Sequence, residues 1–320
     1  MKNQINQTVL KRFMNFIQNN RLGHAYLFCG PSNVGKMSTA YAIAKLVNCE
    51  NPLADGPCDA CGPCKKISKV NHPDVHLICE DETGSIKIET VRDLTRVLQL
   101  RAYEGRKKVS IIKNAHNLTG EAANALLKTL EEPSTESLLI LTTEQADKVM
   151  DTVKSRCQQM NFFSLASLQL ERQLIRDDQL PEDAAHFLAY YSEGNAGLAD
   201  KRHADKLFIR KNEIIDQLVI ARDSEPFLKK VLSDKEKTKE TLDVLASFLR
   251  DLILLKAGAE PARLIHRERM MDLEKMSMRF SFEDLQECYQ GIVKTEQMLE
   301  DNFNIKIAVS LIKERLWPES

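Results

Sequence analysis

Apolar and polar positions follow two regimes along this chain, and the change between them falls near residue 163. Before it, short apolar runs alternate with amphipathic stretches. Ala25-Tyr26-Leu27-Phe28-Cys29, Asp74-Val75-His76-Leu77-Ile78, Val109-Ser110-Ile111-Ile112 and Leu138-Leu139-Ile140-Leu141-Thr142 read as strands, and Gln158 to Phe163 as a fifth. Between them, Lys36 to Val47 places Ala40, Ile43, Ala44 and Val47 on one helical face, and Ile88 to Leu100 does the same with Val91, Leu94, Val97 and Leu98. Gly120 to Leu130 reads as a further helix that stops at Glu132-Pro133. Strands and helices alternating at these lengths predict a parallel sheet covered on both faces. After residue 163 the patterns are almost all helical, with Pro181, Gly194, Gly197, Gly258 and Pro261 as punctuation. The predicted class is therefore α/β followed by all-α: a sheet domain over 1–163, a small helical domain over 164–205 and a larger helical bundle over 206–320.

Length and composition agree with this division. A chain of 320 residues exceeds what one core usually carries. Its 43% apolar and 28% charged residues are ordinary for a globular protein. Lys and Arg number 45 against 46 Asp and Glu, a net charge of −1, which excludes a chain gripping DNA along its whole length but leaves room for a local basic patch. No apolar run is long enough for a transmembrane helix. The stretch from Met1 to Phe16 has neither an apolar signal core nor a small-residue cleavage site. The expected location is the cytosol, so the eight cysteines are expected as metal ligands or buried thiols rather than disulfides.

The first strand runs into Gly30-Pro31-Ser32-Asn33-Val34-Gly35-Lys36, which then opens a helix. This G-x-x-x-x-G-K spacing lets backbone amides curl around phosphate oxygens, with the helix N-terminus and the Lys ammonium adding positive charge. Gly30, Gly35 and Lys36 are the candidate phosphate-binding residues. The next position, where a hydroxyl normally ligates Mg²⁺, is Met37, and a thioether does not replace oxygen on a hard cation. An acidic residue is also needed after a later strand, yet the third strand is followed by Lys113 and Asn114. Two such losses predict a loop that keeps its shape without turnover; ATP binding at Lys36 stays open, and Mg²⁺ is not expected.

Cys49, Cys58, Cys61 and Cys64 follow the spacing C-x8-C-x2-C-x2-C, with Gly56-Pro57 and Gly62-Pro63 as turns. Four thiolates in so short a stretch match a closed tetrahedral Zn²⁺ site of structural type, a staple for an insertion too short to build its own core. A 4Fe–4S cluster takes the same ligand number, but nothing nearby suggests electron transfer.

Ser155-Arg156-Cys157 lies between the helix after the fourth strand and the fifth strand. Thr142-Thr143 ends the fourth strand at the edge where P-loop proteins gather catalytic groups, and Arg156 is expected to project from that edge. An arginine there can stabilise a transferring phosphoryl group held by a neighbouring chain.

Taken in order, Arg21-Leu22-Gly23-His24-Ala25-Tyr26-Leu27-Phe28, the phosphate loop, the cysteine insertion, Asn124-Ala125-Leu126-Leu127-Lys128-Thr129-Leu130-Glu131-Glu132-Pro133 and Ser155-Arg156-Cys157 resemble the AAA+ clamp-loader subunits of bacterial replication. The resemblance implies an AAA+ P-loop domain with a zinc module at 49–64, a small helical lid over 164–205 and a helical collar over 206–320. It implies a hetero-oligomeric ring with tau/gamma and delta subunits, a place in a DNA polymerase holoenzyme, and contact through the assembly with a sliding clamp and primer–template DNA. Arg156 matches the family's trans-acting arginine finger. Gly194-Asn195-Ala196-Gly197-Leu198-Ala199 matches the segment carrying a second nucleotide-sensing arginine, whose place here is taken by Leu198. With Met37, Lys113 and Asn114 this points to a non-hydrolysing subunit rather than the ATP-hydrolysing tau/gamma type.

Two other readings compete. A self-sufficient ATPase of tau/gamma type is favoured by Lys36 and opposed by Met37, Lys113 and Leu198. A zinc-bearing nucleic-acid module is suggested by Lys65, Lys66 and Lys69 after the cysteines, but no aromatics interleave with them. His24 reads as structural, Asp234 to Glu240 as a solvated helix start or loop, and Phe303 to Leu316 as an apolar C-terminal helix.

Overall fold

The computed structural model describes residues 5–134, 136–220, 227, 231 and 234–300, with the backbone alone for 296–300. The apolar C-terminal stretch from Phe303 to Leu316 lies outside the described residues. The chain divides into two compact units, residues 1–164 and 165–320.

The first unit is built on a five-stranded sheet in the order β2-β3-β4-β1-β5, every pair parallel. The strands are β1 (Ala25–Cys29), β2 (Val75–Ile78), β3 (Lys108–Ile112), β4 (Ser137–Thr143) and β5 (Gln158–Asn161). Their burial explains the continuous apolar runs. In β1, Tyr26 and Phe28 enter one core, while Ala25, Leu27 and Cys29 enter the other. β4 splits the same way, Leu138 and Ile140 against Leu139 and Leu141. A strand whose alternate side chains are buried on both faces needs helices on both. Helices α1 (Gln7–Gln18) and α2 (Lys36–Asn48) supply one layer. α4 (Ile88–Gln99) and α5 (Gly120–Glu131) supply the other, together with the short α6 (Asp151–Lys154). The remaining helix, α3 (Gly62–Ser68), belongs to the cysteine insertion.

Two features departed from expectation. Helix α1 was not foreseen. Its cap is Asn6, whose Oδ1 accepts from Val9 N at 3.1 Å, and its buried stripe is Val9, Leu10 and Phe13. Phe13 meets Tyr26 of β1 with ring centroids 4.5 Å apart. Strand β2 is an edge strand paired with β3, so Val75, His76 and Ile78 are half-buried and Leu77 is exposed.

The loop from Tyr103 to Lys108 is stitched to the sheet by one carboxylate. Asp74 is fully buried and accepts from the backbone N–H of Tyr103 (2.7 Å), Glu104 (2.9 Å) and Gly105 (2.8 Å) and from Lys108 Nζ (3.1 Å). Burial alone would raise its pKa, but these amides and the ammonium hold it well below the usual carboxylate range. Replacing Asp74 by Asn leaves a buried ammonium without its counter-charge, and a loss of about 3–5 kcal/mol is expected. Because the folded pKa is depressed, this contribution is fully present above about pH 4 and is lost as pH falls toward the folded pKa. Denaturant melts of both chains across pH should therefore differ by a constant amount at neutral pH and converge in acid. A gap that is small at pH 7, or that widens in acid, would contradict this assignment.

All regular secondary structure among the second unit's described residues is helical. α7 (Ser167–Asp177), α8 (Glu182–Tyr191), α9 (Ala196–Ala204) and α10 (Leu207–Ile215) are followed by helices at Lys235–Lys256, Met270–Arg279 and Phe282–Glu300. One hydrophobic cluster runs through them from Leu170 to Ile292. The charge run at Asp234 is a helix start, with Asp234 Oδ1 accepting from Glu236 N and Lys237 N at 2.9 and 3.2 Å. Gly194, at φ +74°, admits no side chain: a Cβ there would lie 1.7 Å from the Leu165 carbonyl oxygen. Leu198 sits in the first turn of α9, where Asn195 caps its N–H at 3.1 Å.

Candidate functional site

Strand direction sorts the candidate residues into two groups. The phosphate loop follows β1, Lys113 and Asn114 follow β3, and Thr142 and Thr143 close β4, so all of these meet at the carboxyl edge of the sheet. Gly30 N donates to the Thr143 carbonyl at 3.2 Å. Gly30 has φ +151°, and a Cβ on it would lie 2.2 Å from the Phe162 carbonyl oxygen, so close packing alone already requires glycine there. Gly35 has φ +86° and stands at the N-cap of α2. Lys36 is buried and folds back over its own loop, donating from Nζ to the Gly30 carbonyl at 2.7 Å and also to that of Pro31. Burial pushes its pKa down, opposed by Glu144 and Cys29. The loop thus runs from β1 into α2 with its ammonium satisfied by carbonyls of the chain itself.

The metal side of this edge is closed by soft and amide groups. Thr142 Oγ1 donates to Met37 Sδ at 3.9 Å and accepts from Asn114 N at 3.3 Å. Asn114 adopts a left-handed conformation, and its Nδ2 donates to Glu80 Oε1 at 2.6 Å. Asn117 Nδ2 donates to the same oxygen at 3.0 Å. Glu80, just beyond β2, was not singled out from the sequence. It is a carboxylate near this edge, but it is engaged by two side-chain amides. Lys113 is exposed, and its backbone N–H extends the β2–β3 ladder to Ile78. His116 Nδ1 lies 3.0 Å from Thr143 Oγ1. Met37 and Lys113 offer Mg²⁺ no side-chain oxygen and Asn114 only a neutral amide oxygen, so neither the usual hydroxyl nor the usual carboxylate stands at these positions.

Arg156 lies at the other edge, which corrects the expectation that it projects beside Thr142 and Thr143. β5 runs parallel to β1 with Gln158 opposite Tyr26, so the chain just before Gln158 stands at the amino edge. α6 carries the chain across between β4 and β5. Arg156 therefore stands at the opposite edge of the sheet from the chain's own phosphate loop. Its Nε and Nη2 donate to Glu131 Oε1 at 3.0 and 2.7 Å, and its Nη1 donates to the Thr152 carbonyl at 3.0 Å. Glu131 ends α5, inside the Asn124 to Pro133 segment. Cys157 is buried, and burial pushes its thiol up to about 12, as for an inert core cysteine.

The four cysteines come together at the far end of α2. Cys49 follows its last residue, Cys61 is the N-cap of α3 and Cys64 lies in its first turn. Their sulfurs all lie within 4.8 Å of one another, with Cys49 and Cys61 4.0 Å apart, and all four are free thiols. A tetrahedral Zn–S₄ site needs S···S of roughly 3.8 Å, so small shifts close this set around one ion. Two sulfurs already accept backbone N–H bonds, Cys49 from Cys58 N at 3.4 Å and Cys58 from Cys61 N at 3.3 Å. The N–H groups of Ala60 and Cys61 pull the Cys58 thiol down to about 6, whereas burial and neighbouring sulfurs push Cys64 up. Four thiolates resist sharing this space without a cation, so the donor set fits a closed, structural metal site. Lys45 Nζ anchors the insertion through Asp59 at 2.8 Å. At ~1.5 Å per residue the 13 residues of α2 hold the cluster about 20 Å from the phosphate loop. No helix among the described residues is long and apolar enough to cross a membrane.

Two family models match the chain: one described as DNA polymerase III, delta subunit, over residues 5–166, and one as its C-terminal part over residues 205–312. A DNA polymerase III subunit delta′ of Bacillus subtilis is 30% identical over 312 residues, covering 95% of this chain and 94% of that one. A subunit tau of the same organism is 31% identical over 264 residues, covering 80% of this chain but only 46% of its own length. Among solved structures, the Bacillus subtilis DNA clamp loader delta protein covers 97% of this chain and 100% of its own, at 13% identity and TM-score 0.40. A likeness that runs almost from end to end of a delta′ subunit places this chain in a family: it belongs to the delta′ subunits of the DNA polymerase III clamp loader.

Proposed function

We propose that this chain is a non-hydrolysing member of a clamp-loader ring, assembled with tau/gamma and delta subunits, that helps place a sliding clamp on primer–template DNA. In this reading it offers Arg156 to ATP held by an adjacent tau/gamma subunit. Zn²⁺ held by Cys49, Cys58, Cys61 and Cys64 braces the insertion, residues 164–205 act as the lid and residues 206–320 as the collar. The observation that carries the reading is the split between the two edges. The chain's own nucleotide edge has Met37 where Mg²⁺ needs a hydroxyl and Lys113 and Asn114 where it needs carboxylates, while an arginine held by fixed contacts stands at the opposite edge, suited to a neighbour's site. When bound, the zinc supplies cross-linking only. A guanidinium aimed at a transferring phosphoryl group stabilises the charge that develops there.

The expected behaviour of the isolated chain follows. Incubated with ATP and Mg²⁺, it should release phosphate no faster than buffer. Turnover that Lys36→Ala abolishes would contradict the proposal and favour the tau/gamma-type reading.

A further inference from the structure

We infer that Glu131 is the positioning residue for Arg156, fixing the guanidinium in the orientation in which a neighbour's nucleotide meets it. The inference deepens the trans-acting reading of Arg156 and rests on it.

An arginine on a solvent-facing corner has four free side-chain torsions, and a disordered cation contributes little to a transition state. Arg156 is instead gripped from two elements. Glu131, the last residue of α5, takes both Nε and Nη2, and the Thr152 carbonyl in α6 takes Nη1. Contacts on both sides of a planar guanidinium fix its plane, while the second N–H of Nη2 has no acceptor among these contacts. Fold stability does not account for the pair. Its side chains are 35% and 53% exposed, and ion pairs of that kind contribute at most about 1 kcal/mol. The remaining consequence of the geometry is orientation. Sequence spacing gives no hint of it, since the partners are separated by 25 positions.

The test uses the reconstituted assembly with tau/gamma and delta subunits, primed DNA and the clamp, read by single-turnover hydrolysis across ATP concentrations. Glu131→Ala should lower the hydrolysis rate constant at the bordering site about tenfold, with the ATP concentration for half-maximal rate changed less than about twofold. Glu131→Gln keeps an acceptor oxygen and should recover most of the rate. In an Arg156→Ala background, Glu131→Ala should cost nothing further. An independent loss in that background, or a fall in the chain's melting temperature that accounts for the rate, would overturn the inference. So would a rate increase in Glu131→Ala, which would make the pair a restraint. If Arg156→Ala itself leaves hydrolysis unchanged, the trans-acting reading fails and takes this inference with it; a large Arg156 effect with a silent Glu131→Ala overturns the inference alone.

Discussion

An assembly carrying Arg156→Ala should form normally yet hydrolyse ATP roughly 10³-fold more slowly, or worse, at the site bordering this chain. The magnitude reflects what a guanidinium does in a site from which water is excluded: it meets charge spreading over the phosphoryl oxygens without having to reorganise. Assembly should be spared because, among the described residues, Arg156 is bound to Glu131, Thr152 and Ser155 and enters neither hydrophobic core of the first unit. Single-turnover hydrolysis on rings matched for subunit content is the check. The burst should lose one site's contribution, leaving the other sites active. Loss of ring formation in parallel with turnover would instead make Arg156 an interface residue with no part in chemistry.

The second large effect is expected at the cysteine cluster. The proposed zinc should be present at about one ion per chain, and Cys61→Ser should release it. Cys49 and Cys64 are buried, and Cys61 caps α3, so an open cluster loses the end of α2 and the start of α3 together. Loss of a structural metal belongs among the few changes that exceed about 4 kcal/mol, and the first unit should melt accordingly. Metal content by elemental analysis, together with thermal melts before and after chelation, tests this. Iron-type visible absorbance would rule zinc out. A chelated chain with an unchanged melt would rule out a structural role for any ion. With the cluster about 20 Å from the phosphate loop, ATP hydrolysis elsewhere in the ring should respond only through stability.

What the sequence disclosed, and what it hid, follows from the range of the interactions. β1 and β4 were legible because strands buried on both faces leave unbroken apolar runs. The phosphate loop and the cysteine set were legible because each lies in a short stretch of sequence, and Met37, Lys113 and Asn114 because their mismatch with Mg²⁺ is a matter of side-chain chemistry. Helix α1 was less legible because its buried stripe is short, with Val9, Leu10 and Phe13 alone buried. Asn6 followed by Val9, Leu10 and Phe13 was the available signal. Direction was harder. Residue order places Arg156 between β4 and β5, but only the parallel register of β5 on β1 puts it at the amino edge rather than beside Thr143. The long-range partners left no local trace: Glu131 for Arg156, Glu80 for Asn114, and Asp74 for the loop at Tyr103 to Gly105. Each joins residues 25 or more positions apart, where no periodicity connects them.

The central claim is that this chain acts through its neighbours rather than by its own chemistry. The most direct measurement is clamp loading on primed DNA by tau/gamma and delta subunits with this chain intact, absent, or carrying Arg156→Ala. The account predicts efficient loading only with the intact chain, no loading without it, and a ring that assembles but loads slowly with Arg156→Ala. Equal loading in all three reactions would contradict it.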